Sequence, residues 1–517
     1  MVNNGIRIIH VAGWHQYPTY TYDYARLIRL AHANGILVYV WLEPPQVNHK
    51  FWINHPEWRE KNIKGDDAKA SWRFPIALTD TGCVRAVMQE FRSILETYDW
   101  DGVNLAELYF EAGRGFEDPL LFTPAHPSAK NDLKRRYGIT LASVFDSLSP
   151  SYWKRNPGVR EDITEYRVQS LTKVYESFLS LFQEYEIRKP GFQVVVTAMD
   201  SYNSPNLREQ LGVDMQSVLA LQHRFGFMLQ IEDPQSLWST DPQRYAKIGA
   251  QYQALVSDPA KLMLDLNILS FRNKDEVLPF PTLIQTGTES YHLIHSAASG
   301  AVRTTIYSEA TVNPQDLAFF SNALASASRY RLKGNEIDFS SPYSTTLRLP
   351  AAIPEISLDG ATVLPSRDNR YFMPAGSHQI ILQAQEAGTF SANKLQPRVM
   401  SSTGNITTLE YGSRDIMFSY ECSERMLIAL SNLPTAITVD DLFYPCHPMQ
   451  GNDCFSIFLP QGRHNAVITT GDAFSYGISI TSFWSSTAIA LFAVTAVSLL
   501  ALMYGILKIL KRRASAS

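Results

Sequence analysis

Apolar positions in the first 333 residues alternate between two spacings. Short, nearly continuous runs rich in β-branched residues are followed by longer stretches in which apolar residues recur every three or four positions. The runs are I-R-I-I-H-V-A (Ile6 to Ala12), L-V-Y-V-W-L-E-P-P (Leu37 to Pro45), V-N-L (Val103 to Leu105), F-Q-V-V-V-T-A-M-D (Phe192 to Asp200), F-M-L-Q-I-E-D-P (Phe227 to Pro234), L-M-L-D-L-N-I-L (Leu262 to Leu269) and V-R-T-T-I-Y-S-E (Val302 to Glu309). Helical spacing dominates between them, as in Thr81 to Tyr98, where Val84, Val87, Met88, Phe91, Ile94 and Leu95 share a face. Asn34-Gly35 closes the helical stretch Tyr22 to Ala33, and Asp101-Gly102 reads as a turn before the third run. Strands alternating with helices imply a parallel sheet. Seven runs, with no Gly-rich phosphate loop after the first, predict a (β/α)8 TIM-type barrel whose first strand would precede Met1.

Two long connections interrupt the rhythm. Gln46 to Leu78 is rich in aromatic residues and longer than a plain link, which marks it as a functional loop. Gly113 to about Lys189 is an insertion with helical stretches. From about Gly334 helical spacing fades, and short alternating segments between Gly, Pro and Ser turns predict a small β-sandwich. The expected organisation is a barrel over 1–333, a β-sandwich over 334–475, a linker over 476–486, a transmembrane helix over 487–507 and a basic tail over 508–517.

The membrane span rests on twenty-one uncharged residues, Thr487 to Leu507, flanked by Phe483 and Trp484 on one side and Lys508, Lys511, Arg512 and Arg513 on the other. The basic flank puts the tail in the cytoplasm and the large N-terminal part outside, with the lipid bilayer as a partner. Export needs a signal, which the start M-V-N-N-G-I-R-I-I-H lacks; an upstream stretch holding both a signal and the first strand would account for both gaps. A net charge of -4 with mixed signs excludes nucleic acid as the partner. Cys83 reads as a buried thiol. Cys446 and Cys454 could bridge outside the cytosol, and unpaired thiols serve equally well as a reading. No metal-ligand spacing is present and no cofactor is implied. Asn405-Ile406-Thr407 matches a glycosylation sequon.

The chemistry concentrates at strand ends. Side chains alternate along a strand, so Tyr39, Trp41 and Glu43 are expected on one face, as are Val103, Leu105 and Glu107, then Gln230 and Glu232, Asp265 and Asn267, and Tyr307 and Glu309; Asp200 closes a further strand. If these faces line the lumen, acids ring the C-terminal mouth, where barrels carry their chemistry. Glycoside hydrolysis needs two carboxyl groups flanking the scissile bond. Glu107 leads, with Glu232 second and Asp265 third as the catalytic set. Glu43, Asp200 and Glu309 are expected to bind substrate, and Trp14, Trp41 and Tyr109 are candidates for a sugar platform. Asp233, before Pro234, reads as a turn residue. His10, His15 and His223 read as core or hydrogen-bonding residues.

H-P-E-W-R-E (His55 to Glu60) and Y-D-W-D-G-V-N-L-A-E-L-Y-F-E (Tyr98 to Glu111) resemble the bacterial glycoside-hydrolase-like barrels, which join an Asn- or His-Pro-Glu-Trp segment to a Y-D-V-D-G-I-H-x-D strand. The resemblance covers roughly Ile6 to Tyr330 and implies a polysaccharide substrate at the cell envelope, with polysaccharide synthesis or export proteins as partners. It departs at Ala106, where such barrels commonly carry the Asp that aligns with the nucleophile of related retaining hydrolases; the acid here is Glu107. Two readings follow: a membrane-anchored glycoside hydrolase, or a non-catalytic carbohydrate-binding or scaffold component of an export machine. A cytosolic tail-anchored protein is the third, should the start be genuine.

Overall fold

The computed structural model describes residues 4–14, 22–68, 73–110, 114–234, 241, 243–267, 287–307, 312–317, 320, 323, 330–333, 335–349, 353, 355–366, 369–382, 396–445 and 447–471. Glu309, His15, Cys446, the linker, the expected transmembrane helix 487–507 and the basic tail lie outside them. Among the described residues no helix is long and apolar enough to cross a membrane.

Seven parallel strands form one sheet in sequential order: β1 (Ile8–Ala12), β2 (Leu37–Leu42), β3 (Gly102–Leu105), β4 (Gln193–Met199), β5 (Met228–Glu232), β6 (Leu262–Asn267) and β7 (Arg303–Tyr307). They coincide with the seven apolar runs. Helices α1 (Tyr24–Ala33), α2 (His49–Asn54), α3 (Thr81–Thr97), α4 (Pro127–Tyr137), α5 (Leu141–Val144), α6 (Pro157–Arg188), α7 (Asn206–Leu211), α8 (Met215–Phe225), α9 (Gln243–Gln253) and α10 (Gly287–Gly300) complete this part. The sheet is curled. In a flat sheet β2 and β7 would stand about 24 Å apart at the usual strand spacing, yet the Arg303 guanidinium on β7 lies close enough to Tyr39 on β2 and His10 on β1 for its charge to act on both. Among the described residues β7 and β1 are not paired. Among the described residues the architecture is therefore a curled half-barrel of the seven strands read from the sequence, and closure into a ring is not seen.

The two faces differ chemically. Val38, Val40, Val103, Leu105, Val194, Val196, Leu229, Ile231, Leu264 and Leu266 pack outward against Val87, Phe91, Leu95, Phe178 and Leu293 of the helices. Inward-facing residues include a polar layer: Asn104 Nδ2 lies 2.9 Å from His10 Nδ1, Thr197 Oγ1 donates to Asn104 Oδ1 at 2.9 Å, and Thr305 Oγ1 donates to Gln230 Oε1 at 3.0 Å. Burial and the Arg303 charge hold His10 down to about 4, so it is neutral there, a hydrogen-bonding residue as expected. His223 bonds the Leu255 carbonyl at the surface. Asn104 faces inward, so Val103 and Leu105 face the helix layer, opposite to the expected parity.

Asp101-Gly102 is not a turn of the expected kind. Gly102 opens β3, where a Cβ would meet the Gln193 carbonyl oxygen at 2.6 Å and the Tyr39 ring at 3.1 Å. Asp101 lies at the N-terminal end of the sheet, fully buried. It accepts from Val38 N at 2.9 Å, contacts His32 Nε2 at 2.7 Å, and accepts from Arg425 Nη2 at 2.7 Å. Arg425 comes from the β region, on a loop between strands Asp415–Cys422 and Met426–Leu430, and its guanidinium lies 3.9 Å from the Phe458 ring centroid. The neighbouring Glu424 pairs with Arg303 at the same end of the sheet. This loop docks under the half-barrel, where side chains serve stability rather than chemistry.

The C-terminal region holds two apolar cores rather than one sandwich. Ile337, Phe339, Ile356, Tyr371, Met373 and Ile380 form the first, under a five-stranded sheet that begins with Tyr330–Lys333 paired to Glu336–Ser341. Ile406, Ile416, Phe418, Ile428, Leu430, Ile457 and Ile468 form the second, between a four-stranded and a five-stranded sheet. Cys83, Cys422 and Cys454 are buried.

Burial alone would raise the Asp101 carboxyl, but the His32 hydrogen bond and charge and the Arg425 charge outweigh it and hold the group below its ordinary value. A depressed folded value stabilises the protein above the unfolded-state pKa, and that stability is lost as pH falls through the acid range. Asp101→Asn leaves Arg425 and His32 without their buried counter-charge and is expected to lower the unfolding free energy by about 3–5 kcal/mol, with a flatter acid limb. Denaturant titrations between pH 3 and pH 7 check it; an unchanged midpoint would show that the contact contributes nothing.

Candidate active site

The C-terminal ends of the strands carry the acids. β3 ends with Ala106 N donating to the Leu42 carbonyl at 2.8 Å, its last bond to β2. Ala106 is fully buried. The chain then leaves strand geometry, and Glu107 takes a φ of 51°. That left-handed conformation costs a side-chain-bearing residue about 1–3 kcal/mol and needs outside support. Arg73 Nη2 donates to Glu107 Oε2 at 2.9 Å, Tyr109 Oη donates to the same oxygen at 3.1 Å, and Arg73 Nη1 donates to Tyr109 Oη at 2.8 Å. The triangle fixes the carboxylate. The change of backbone conformation brings Glu107 to the acids although the strand's alternation would have sent it to the helix layer.

Arg73 was not distinguishable from other cations in the long 46–78 connection. Its place is set by backbone bonds around it. Val47 N donates to Phe74 O at 3.3 Å, Glu60 N to Pro75 O at 3.1 Å, Ile76 N to Pro45 O at 3.1 Å and Ala77 N to Trp58 O at 2.8 Å. The H-P-E-W-R-E segment is the brace. Trp58 stacks on His55 with centroids 4.4 Å apart, the Arg59 guanidinium lies 3.8 Å from the Trp52 centroid, and Glu60 Oε1 accepts from Ala125 N and His126 N at 3.0 and 2.8 Å. That last contact ties the loop to the helical insertion, whose own core includes Phe116, Phe122, Leu133, Trp153 and Tyr166.

Glu232 ends β5 in register with Asp265 on β6, and both face inward. Burial first, then the Asp265 and Glu107 charges, push the Glu232 carboxyl well above the ordinary range, against the opposing pull of Arg73. Burial and Glu107 raise Asp265 to about 7, against a hydrogen bond from Gln230. Asp265 Oδ1 is buried and has no hydrogen-bond partner among the described residues. Glu43, after β2, is buried, and its Oε2 accepts from Trp41 Nε1 at 3.2 Å. The Tyr307 hydroxyl on β7 is raised by burial and by the charges of Glu107, Glu43, Glu232 and Asp265, which places all five groups at one mouth. Like charges gathered in a partly dry site cannot all ionise, and pairs with displaced affinities are the usual acid–base machinery.

Other expectations change. Asp200 does not face the mouth. It is fully buried, accepts from Asn203 N at 3.0 Å, Asn203 Nδ2 at 2.6 Å and Tyr252 Oη at 2.6 Å, and so braces the turn after β4. Trp14 packs edge-on against Phe51 and Phe91 at 5.1 and 5.4 Å in the helix–sheet core, not on a sugar surface. Tyr109 is buried and positions Glu107, while Trp41 is partly exposed and its Nε1 donates to Glu43. Asp233 pairs with Arg244 on α9. Glu309 lies outside the described residues. Among the described residues no group of three or more His, Cys, Asp or Glu is arranged to hold a metal ion.

No family model matches the sequence, and no curated protein does. Solved structures with a similar fold include the glycoside hydrolase domain of PgaB (BpsB) from Bordetella bronchiseptica, at 10% identity and a TM-score of 0.45 over 62% of this chain and 90% of that one. The β-galactosidases of Marinomonas ef1 and Rahnella sp. R3 align at 13% identity, with TM-scores of 0.40 and 0.41, over 59% and 64% of this chain. The aligned part spans about half of each β-galactosidase, 50% and 54%.

Proposed function

We propose that this chain hydrolyses glycosidic bonds of an envelope or exported polysaccharide, with Glu232 and Glu107 as the carboxyl pair. The observation that carries the reading is the gathering of Glu107, Glu232 and Asp265 at one mouth, with Arg73 and Tyr109 both bonded to Glu107. Glu232, whose hold on its proton is strengthened by burial and by the charges of Asp265 and Glu107, gives that proton to the glycosidic oxygen as the bond to the anomeric carbon breaks. Glu107 faces that carbon as an anion, acting as the nucleophile or as the base that takes a proton from the attacking water. The water supplies the hydroxyl and the proton that complete the two products. Asp265 keeps the Glu232 proton in place through its charge, and Glu43 contacts the sugar. The apolar segment 487–507 anchors the protein in a membrane with the half-barrel outside the cytoplasm, where synthesis or export proteins for the same polymer would be its neighbours. The second reading, a carbohydrate-binding scaffold without turnover, draws its support from Ala106, an inward position with no acid.

Glu107→Gln and Glu232→Gln are each expected to lower release of reducing ends from exopolysaccharide extracts by about 10²-fold or more. Full turnover in Glu107→Gln would remove Glu107 from the mechanism, and tight binding with no turnover in the unaltered protein would favour the scaffold. The pH dependence gives an independent check. Rate falls on the alkaline side as Glu232 loses its proton. Asp265→Asn removes a negative neighbour, lowers the Glu232 affinity for its proton and moves the alkaline limb to lower pH. Arg73→Ala removes a positive neighbour and moves the limb to higher pH. Shifts in the same direction would contradict Glu232 as the acid.

A further inference from the structure

The acids account for bond breaking but not for how a sugar ring is held over them. Tyr307 is the last residue of β7. On that strand Arg303 reaches the Tyr39 and His10 side of the lumen, and Thr305 donates to Gln230 inside it. Alternation therefore points Tyr307 inward as well. The ladder pairs Asp265 with Thr305, so Tyr307 stands one layer above Asp265, on the solvent side of the acids. It is 47% exposed, whereas Tyr109 retains 6% and Trp14 8%. The charges of Glu107, Glu43, Glu232 and Asp265 act on its hydroxyl, which puts the residue directly beside the acids. What bears on a ligand is the position of this half-exposed ring, one layer above the acids on the solvent side. A pyranose fits: the C–H bonds of one face lie on the ring, while hydroxyl groups at the edge reach carboxylates.

We propose that Tyr307 is the stacking platform that orients a sugar unit of the substrate above Glu232 and Glu107. This rests on the glycosidase reading and adds a substrate-contacting residue to it. The contact is made by the ring, so the hydroxyl is dispensable. Tyr307→Phe keeps the platform and Tyr307→Ala removes it.

The test is calorimetric titration of size-fractionated oligosaccharides, released by mild acid from an exopolysaccharide extract, into full-length protein carrying Glu232→Gln to prevent turnover. Tyr307→Phe in that background is expected to bind within about twofold of the parent, and Tyr307→Ala about tenfold or more weakly. In the turnover-competent protein the same Ala substitution is expected to act mainly on KM. Equal affinity for the Ala variant and the parent overturns the platform, as does equal loss in the Phe and Ala variants, which would assign the contact to the hydroxyl. Circular dichroism of each variant separates misfolding from lost contact, and a misfolded Ala variant is replaced by Tyr307→Leu, for which the same tenfold loss is required. Absence of both binding and turnover in proteins with Tyr307 intact is a failure of the glycosidase reading; binding by the parent with no effect of Tyr307→Ala is a failure of this inference alone.

Discussion

Carboxylates crowded into a partly dry site repel one another, and the arrangement around the mouth of the half-barrel answers that repulsion. Glu107, Glu232 and Asp265 act on each other through their charges. Arg73 and Tyr109 fix one of them, Glu107, by a hydrogen bond each, and a third bond joins the two of them. The remaining two then hold protons more tightly than a lone acid in water would. The geometry of the site depends on a loop, because Arg73 comes from the 46–78 connection rather than from a strand.

The opposite end of the sheet carries a second charged group with a different purpose. Asp101 is held by His32 and Arg425, and Arg303 by Glu424, so a loop of the β region closes the bottom of the half-barrel. These acids and cations pair across the contact, whereas among the described residues several acids gather round Arg73 at the mouth. Pairing opposite charges fixes a relative placement of elements; crowding like charges displaces proton affinities. The same residue types thus pair across a contact at one end and crowd together at the other.

Much of the sheet was legible because parallel strands buried on both faces leave long apolar runs, and all seven runs became strands. Closure was not legible, since periodicity along a chain says nothing about whether the first and last strands meet. Strand parity located Glu232, Asp265 and Tyr307 correctly but failed at β3, where Asn104 points inward. Glu107 reached the mouth only through a left-handed residue, which no alternation rule foresees. Asp200 misled for a related reason: an acid just past a strand end is as useful to a turn as to a substrate. Arg73 was invisible because its position depends on bonds to segments 45–47 and 58–60, distant from anything local. The single expected sandwich became two cores, since short alternating strands do not announce which sheet they join.

The proposed mechanism requires that Glu232 hold its proton more tightly than an ordinary glutamate does. Carbon-13 NMR titration of glutamate side-chain carboxyls measures this directly, with the Glu232→Gln protein supplying the assignment. The expected result is a resonance, absent from that variant, whose titration lies well above the ordinary glutamate range. Titration of the Glu232 resonance near pH 4 to 5 would contradict it.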